Sequence, residues 1–446
     1  MPLSRVLTGH LVFTVLNAVL FANLTWLMPM LVRLHFGSDD ARWKDWQTTF
    51  ITAAIPTFLL CSVFWGELLR RVSLRRYLVI YWLVTVFPLG CVALVNSYGQ
   101  LLGCHVVSSI GLAGWAPLNG KLLKHFYSDA IRGRMFGLLN AAQLASGIAA
   151  VFLVGRWLET EAGAFRVFFI VAPLVQLAGM GVLAWLVRHT QADGPVRAAR
   201  PRTWSALLEP VLHMGATLRA DRMFLRYEIA FMTYGAAYMF CEALLPVLAT
   251  DRFGMGYETF SHSTQLVRQV ATLAMIVPMG WLLDRIGPVR TSGISFGVLA
   301  GYPLLLLLAH GTWGVGLASG VYGFALAGVM MGWMLGPVTL APSPERVPEY
   351  VAIHTTLVGV RGLLCQGFGM LLYKLTGGFA WPLVLSALAF LFAAGQMWRL
   401  QGLGSARASV DVNWPVSPAR PADLPAASDP TPRAEPARCN DDGGAS

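Results

Sequence analysis

The feature that most constrains this chain is a succession of apolar runs, each eighteen or more residues long or broken by only one or two polar residues. They fall roughly at 8–33, 46–69, 77–97, 99–122, 134–156, 164–187, 223–249, 261–283, 289–309, 313–340, 350–374 and 380–399. About 20 apolar residues in a helix cross the hydrocarbon core of a bilayer. A helix also satisfies its own backbone there, where no water can. The sequence therefore predicts an all-α polytopic membrane protein with twelve transmembrane helices. Composition agrees, since 56% of the chain is hydrophobic and only 13% charged, with the charges gathered in short patches between the runs.

Where those charges sit decides what the net charge of +10 means. Basic residues flank apolar spans instead of forming a phosphate-binding face, which sets nucleic acid aside as a partner and leaves the lipid bilayer. Arg70, Arg71, Arg75 and Arg76 fill the second gap, Lys124, Arg132 and Arg134 the fourth, and Arg197, Arg200, Arg202, Arg219 and Arg222 the sixth. The third gap has no Lys or Arg and the ninth only His310. Even-numbered gaps, and both termini with them, are expected to be cytoplasmic. The first gap, with Arg33, Arg42 and Lys44 balanced by Asp39, Asp40 and Asp45, is a mild exception. Five of the six cysteines lie in apolar runs without C-x-x-C spacing, so neither a disulfide framework nor a zinc site is expected, and no cofactor. The first run is longer than a signal-peptide core and lacks a convincing cleavage site, so it reads as a retained span.

The longest internal gap divides the chain into two sets of six spans. The expected domains are an N-terminal bundle at 1–188, a basic linker at 189–222, a C-terminal bundle at 223–400 and a disordered cytoplasmic tail at 401–446. Within the linker, Trp204 to Leu218 is a candidate amphipathic surface helix. The halves repeat. Gly66-Glu-Leu-Leu-Arg70-Arg71-Val-Ser73-Leu-Arg75-Arg76 aligns with Gly280-Trp-Leu-Leu-Asp284-Arg285-Ile-Gly287-Pro-Val-Arg290 at an offset of 214 residues. Gly114-Trp115 with Pro117 resembles Gly332-Trp333 with Pro337, and Leu27-Met-Pro29 resembles Leu244-Leu-Pro246. Two pseudo-symmetric six-helix bundles are what duplication in a transporter leaves behind.

On Gly280, Leu282, Asp284, Arg285, Gly287 and Arg290, and on Arg132-Gly133-Arg134 followed by Phe136-Gly137, the chain resembles the major facilitator superfamily of secondary transporters. The resemblance implies alternating access around a central pocket, a small-molecule substrate with a proton as coupling ion, a monomer, and the bacterial inner membrane. Two departures stand out. Arg70 and Ser73 replace the usual acid and glycine of the first hinge, and His105 and Ser108 occupy span four where many drug exporters carry an arginine motif. Span five also lacks a Gly-Pro pair, so drug–proton antiport is disfavoured.

Ionisable groups deep in a span are functional candidates because an unpaired charge there is costly. Glu242 in span seven reads as a proton-coupling carboxylate or as half of a structural pair. Arg268 in span eight reads as an anion contact or as a side chain snorkelling outwards. Arg361, near the middle of span eleven, is the leading candidate for a central site, with Asn23 and Gln143 as polar neighbours. Two arginines against one carboxylate favour an anionic or zwitterionic solute. His354, near a span end, reads as wet and structural. By analogy with the family, Asp284 is expected to latch onto the start of span five through Arg132 or Arg134. The first hinge is expected to form the same latch with the charges swapped, Arg70 or Arg71 meeting Glu345 or Glu349. Two rivals remain: a transport-inactive sensor or assembly partner, and a membrane enzyme built on His35 and Asp40, whose short loop leaves no room for such chemistry.

Overall fold

The computed structural model describes residues 2–161, 163–190, 214–342 and 346–411. Its spans, numbered in chain order, are Leu3–Phe36, Ala41–Arg71, Leu74–Leu94, Tyr98–Phe126, Ile131–Thr160, Ala164–His189 and Arg222–Arg252 for spans one to seven. Thr312–Leu340, Glu349–Thr376 and Ala380–Leu400 are spans ten to twelve. Spans eight and nine form one run, Tyr257–Leu308, bent at Gly287, whose φ of 79° and ψ of 168° only glycine adopts readily. Counting that run as two gives the twelve spans the hydropathy pattern predicts.

Cap chemistry separates neighbouring spans. Asp40 accepts from Arg42 N at 2.9 Å, Ser73 from Arg76 N at 3.4 Å, and Asp221 from both Met223 N and Phe224 N at 3.0 Å. The described residues up to Leu403 belong to one compact unit. The last helix runs on to Asp411, into the stretch expected to be tail; 412–446 lie outside the described residues, as do most of the linker and Trp204. Met214–Ala220 is a short helix just ahead of span seven.

The halves mirror one another in detail. Spans one and seven both end in wide π turns, at Val32–Phe36 and Leu248–Arg252. Gly114 O and Gly332 O each accept a buried tyrosine hydroxyl, but from non-equivalent spans: Tyr77 of span three at 2.8 Å and Tyr227 of span seven at 3.0 Å.

Two seams join the halves. Along spans two and eleven, a Cβ on Gly362 would lie 2.6 Å from the Pro56 backbone and one on Gly359 2.5 Å from Leu60, while Gln366 Nε2 donates to Thr52 O at 3.2 Å. Along spans five and eight, Gly147 packs on Gln269, Gly155 packs on Ser261, and Glu159 accepts from Glu258 N at 3.1 Å. Backbones can approach this closely only where one partner lacks a side chain.

Candidate functional site

Three cavities that share Thr25 of span one as a wall lie between the halves and are together termed the vestibule. The largest has a volume of about 430 Å³ and takes walls from spans one, five, seven, eight and ten. A second, of about 230 Å³, reaches spans two, four and eleven through Thr52, His105 and Gln366. Glu242 lines two of the three and Arg268 lines two.

Glu242 and Arg268 face each other at 3.8 Å, with side chains 21% and 19% exposed, so both can be reached from the cavity. Arg268 is also hydrogen-bonded to Gln265 and sits over the Tyr322 ring at 5.4 Å. Tyr322 in turn stacks with Tyr238 at 5.3 Å between ring centres. Two buried acceptors on this wall, Glu242 Oε2 and Gln269 Oε1, have no hydrogen-bond partner among the described residues. An orphan buried acceptor is costly unless something donates to it. The wall thus offers a loose ion pair, aromatic faces and two free acceptors.

The remaining sequence candidates divide. Gln143 lines the largest cavity. Arg268 does not snorkel but lines two of the cavities. Arg361 departs from its expected place. Its guanidinium fills the space left by Gly235 of span seven, donates from Nη1 to Phe231 O at 3.0 Å, and is not among the residues lining the three cavities. It approaches the vestibule indirectly, 5.9 Å from the ring centre of Tyr234, a wall residue. Asn23 is fully buried and satisfied within its own span, donating to Val19 O at 2.9 Å and accepting from Trp26 Nε1 at 3.0 Å. It lines none of the three cavities. His354 is not wet; it is 2% exposed and paired with Glu228.

At the hinge end, the charged groups among the described residues make other contacts than the expected latches. Arg70 and Arg71 both turn to Glu67, at 3.5 and 2.8 Å, so this acid one turn earlier absorbs the charge expected to reach span eleven. Glu349 instead pairs with Arg346 at 3.1 Å and accepts from Thr217 Oγ1 at 2.6 Å; Glu345 lies outside the described residues. Asp284 is exposed and makes no ion pair among the described residues, although it flanks the bend at Gly287 as expected. Arg285 stacks on Trp281 at 3.7 Å, Arg134 and Arg290 are exposed, and Arg132 donates to Tyr127 O at 3.4 Å. Gly280 contacts little beyond the end of Met331.

Ionic contact between the halves occurs at the opposite end. Arg33 of span one pairs with Asp45 of span two at 2.6 Å and with Asp251 of span seven, and donates from Nε to Thr250 Oγ1 at 2.9 Å. Lys374 of span eleven pairs with the other oxygen of Asp45. Arg33 and Asp45 are each only 4% exposed, so this cluster ties spans of the two halves together through buried charge. The hydropathy pattern leaves Asp45 and Asp251 in gaps and puts Arg33 and Lys374 at the last positions of their runs.

The profile of the Major Facilitator Superfamily matches residues 11–268. Among solved structures, the human organic anion transporter MFSD10 (TETRAN) is similar at 16% identity and a TM-score of 0.65, covering 89% of this chain and 100% of its own. The nucleoside transporter NupG, solved as a point mutant, is similar at 15% identity and a TM-score of 0.61, covering 90% and 99%. At such identities the likeness is one of fold. No curated protein matches.

Proposed function

The chain belongs to the Major Facilitator Superfamily of transporters, and on that premise we propose that it is a secondary active carrier that moves a small zwitterionic solute by alternating access, coupled to a proton. The observation that carries this reading is the Glu242–Arg268 pair, opposed at 3.8 Å on the vestibule wall. A carboxylate on the solute would turn Arg268 away from Glu242, and an ammonium would take its place on Glu242, so each buried charge stays compensated while the substrate is held. A plain organic anion would leave Glu242 facing it, which is why the zwitterion is preferred over the anion that two free arginines would suit. The tyrosine faces of Tyr238 and Tyr322 add a wall for a flat or apolar part.

In this reading the hinge end, with its excess of arginine, faces the cytoplasm of a bacterial inner membrane, and the Arg33 cluster seals the outer side. The protein is then drawn in its cytoplasm-facing state, with the hinge latches disengaged because the outer lock is engaged. It works as a monomer, since the vestibule is complete within one chain.

The test is a thermal-shift screen of the purified protein against metabolites, repeated with Arg268→Ala. A solute at 100 times its Kd should add about 2.7 kcal/mol to the parent's stability and nothing to the variant's. A zwitterion that stabilises both equally would place binding elsewhere, and saturable uptake into proteoliposomes that survives Arg268→Ala would do the same.

A further inference from the structure

A second buried titratable pair lies outside the vestibule. Glu228 of span seven and His354 of span eleven are each 2% exposed, and His354 Nδ1 lies 2.9 and 3.0 Å from the two carboxylate oxygens. The rings of Tyr227, Phe231 and Trp333 enclose the imidazole at 6.0, 5.2 and 5.8 Å between centres. On the far side of the imidazole, Nε2 is buried without a hydrogen-bond partner among the described residues.

We propose that this pair is the proton-binding site of the carrier, with His354 Nε2 as the seat of the exchanged proton. The proposal rests on the carrier reading only for what the proton does, not for whether it binds. With Nδ1–H donated to the carboxylate and Nε2 bare, the pair carries one negative charge. Hydronium from the hinge side gives up a proton to the Nε2 lone pair and leaves as water, and the pair becomes a neutral imidazolium–carboxylate. In an aromatic enclosure, loss of that proton exposes a net charge that only a nearby cation can balance.

Arg361 supplies the cation. It lies seven residues after His354 on the same span, so both face span seven two helical turns apart. Its Nη1 binds Phe231 O, one turn beyond Glu228, and the absent side chain of Gly235 provides the room for that contact. The groups facing the pair that carry or change charge are Tyr227 on span seven and Arg361 on span eleven, while span ten presents the uncharged Trp333. Of these, Arg361 also faces Tyr234 on the vestibule wall, and it can therefore convey the protonation state to the bound solute.

The experiment is nitrogen NMR of the full-length protein carrying labelled histidine, titrated between about pH 5 and 8 and assigned by the signal missing in His354→Gln. We expect Nε2 of His354 to take up one proton as the pH is lowered. Glu228→Gln should lower its proton affinity by about tenfold or more, Arg361→Ala should raise it, and Glu242→Gln should leave it in place. A His354 signal that does not titrate in the parent protein overturns the proposal, and so does a midpoint indifferent to both Glu228→Gln and Arg361→Ala in variants that keep the parent's melting temperature. The titration needs no solute. Its failure leaves the carrier reading standing, whereas an intact titration in a protein without saturable flux rejects the carrier reading and the coupling role together.

Discussion

Asp45→Asn tests the lock at the Arg33 end with the smallest possible change of shape. Asp45 accepts from Arg33 on one oxygen, at 2.6 Å, and from Lys374 on the other. Removing one member of a buried pair costs about 3–5 kcal/mol because the partner is left charged and dry. Here Arg33 keeps Asp251, and the Lys374 side chain is 23% exposed and can turn to water, so the lower end, about 3 kcal/mol, applies. Opening this end relieves that cost, so the ratio of closed to open protein should fall by about a hundredfold. The assay replaces the six native cysteines, places a single cysteine at Thr25 on the vestibule wall, and follows its labelling by a membrane-impermeant maleimide added on the Arg33 side. Labelling should accelerate towards a hundredfold until the open state dominates, while labelling from the hinge side slows. A folded Asp45→Asn protein labelled at the parent rate from both sides would refute the lock.

Other outcomes follow from the same geometry. Gly235→Ala places a Cβ on the Arg361 guanidinium and should destabilise the protein by about 1–3 kcal/mol in thermal unfolding, a loss that Arg361→Ala in the same chain should largely restore. Gly287→Ala must hold an alanine at φ 79° and ψ 168°, which should cost about 1–3 kcal/mol in the same measurement and leave solute binding at Arg268 intact. Gly362→Val should wedge the span two–span eleven seam against Pro56 and, like Asp45→Asn, speed labelling from the Arg33 side. Glu242→Gln should weaken a zwitterion that carries an ammonium at least as strongly as Arg268→Ala does, read as loss of thermal stabilisation by that solute.

The spans are legible because hydropathy reports burial in lipid directly, and depth along each span is legible with them. What hydropathy does not report is the direction a side chain faces around its helix. Glu242 and Arg268 have the expected depth and do meet, but Arg361, at a suitable depth too, is turned onto span seven by the gap at Gly235, which marks a contact only once its partner helix is known. Asn23 differs from expectation for the same reason, since its bonds are made within its own span. Glu228 escapes notice in the sequence because it sits only a few residues inside its span, and His354 reads as wet on the same ground; their burial comes from the aromatic enclosure, not from depth. By hydropathy Asp45 falls in a gap and Arg33 at the last position of its run, because charge shortens the window. In the structure the helices reach Phe36 and restart at Ala41, which carries both residues into the bundle. Glu67 is visible within the first hinge, and its claim on Arg70 and Arg71 follows from three- and four-residue spacing on a helix, a signal that the family pattern overshadows.

The seam glycines restrict how the two bundles can move past one another. At Gly359 with Leu60, Gly362 with Pro56 and Gly155 with Ser261, one half offers a hollow and the other a protrusion seated in it. Sliding along the seam would drive each protrusion into the next turn of the facing helix, so shear is blocked at several points together. The protrusions can leave only by lifting straight out, and the interface is therefore built to come apart from one end like a pried joint.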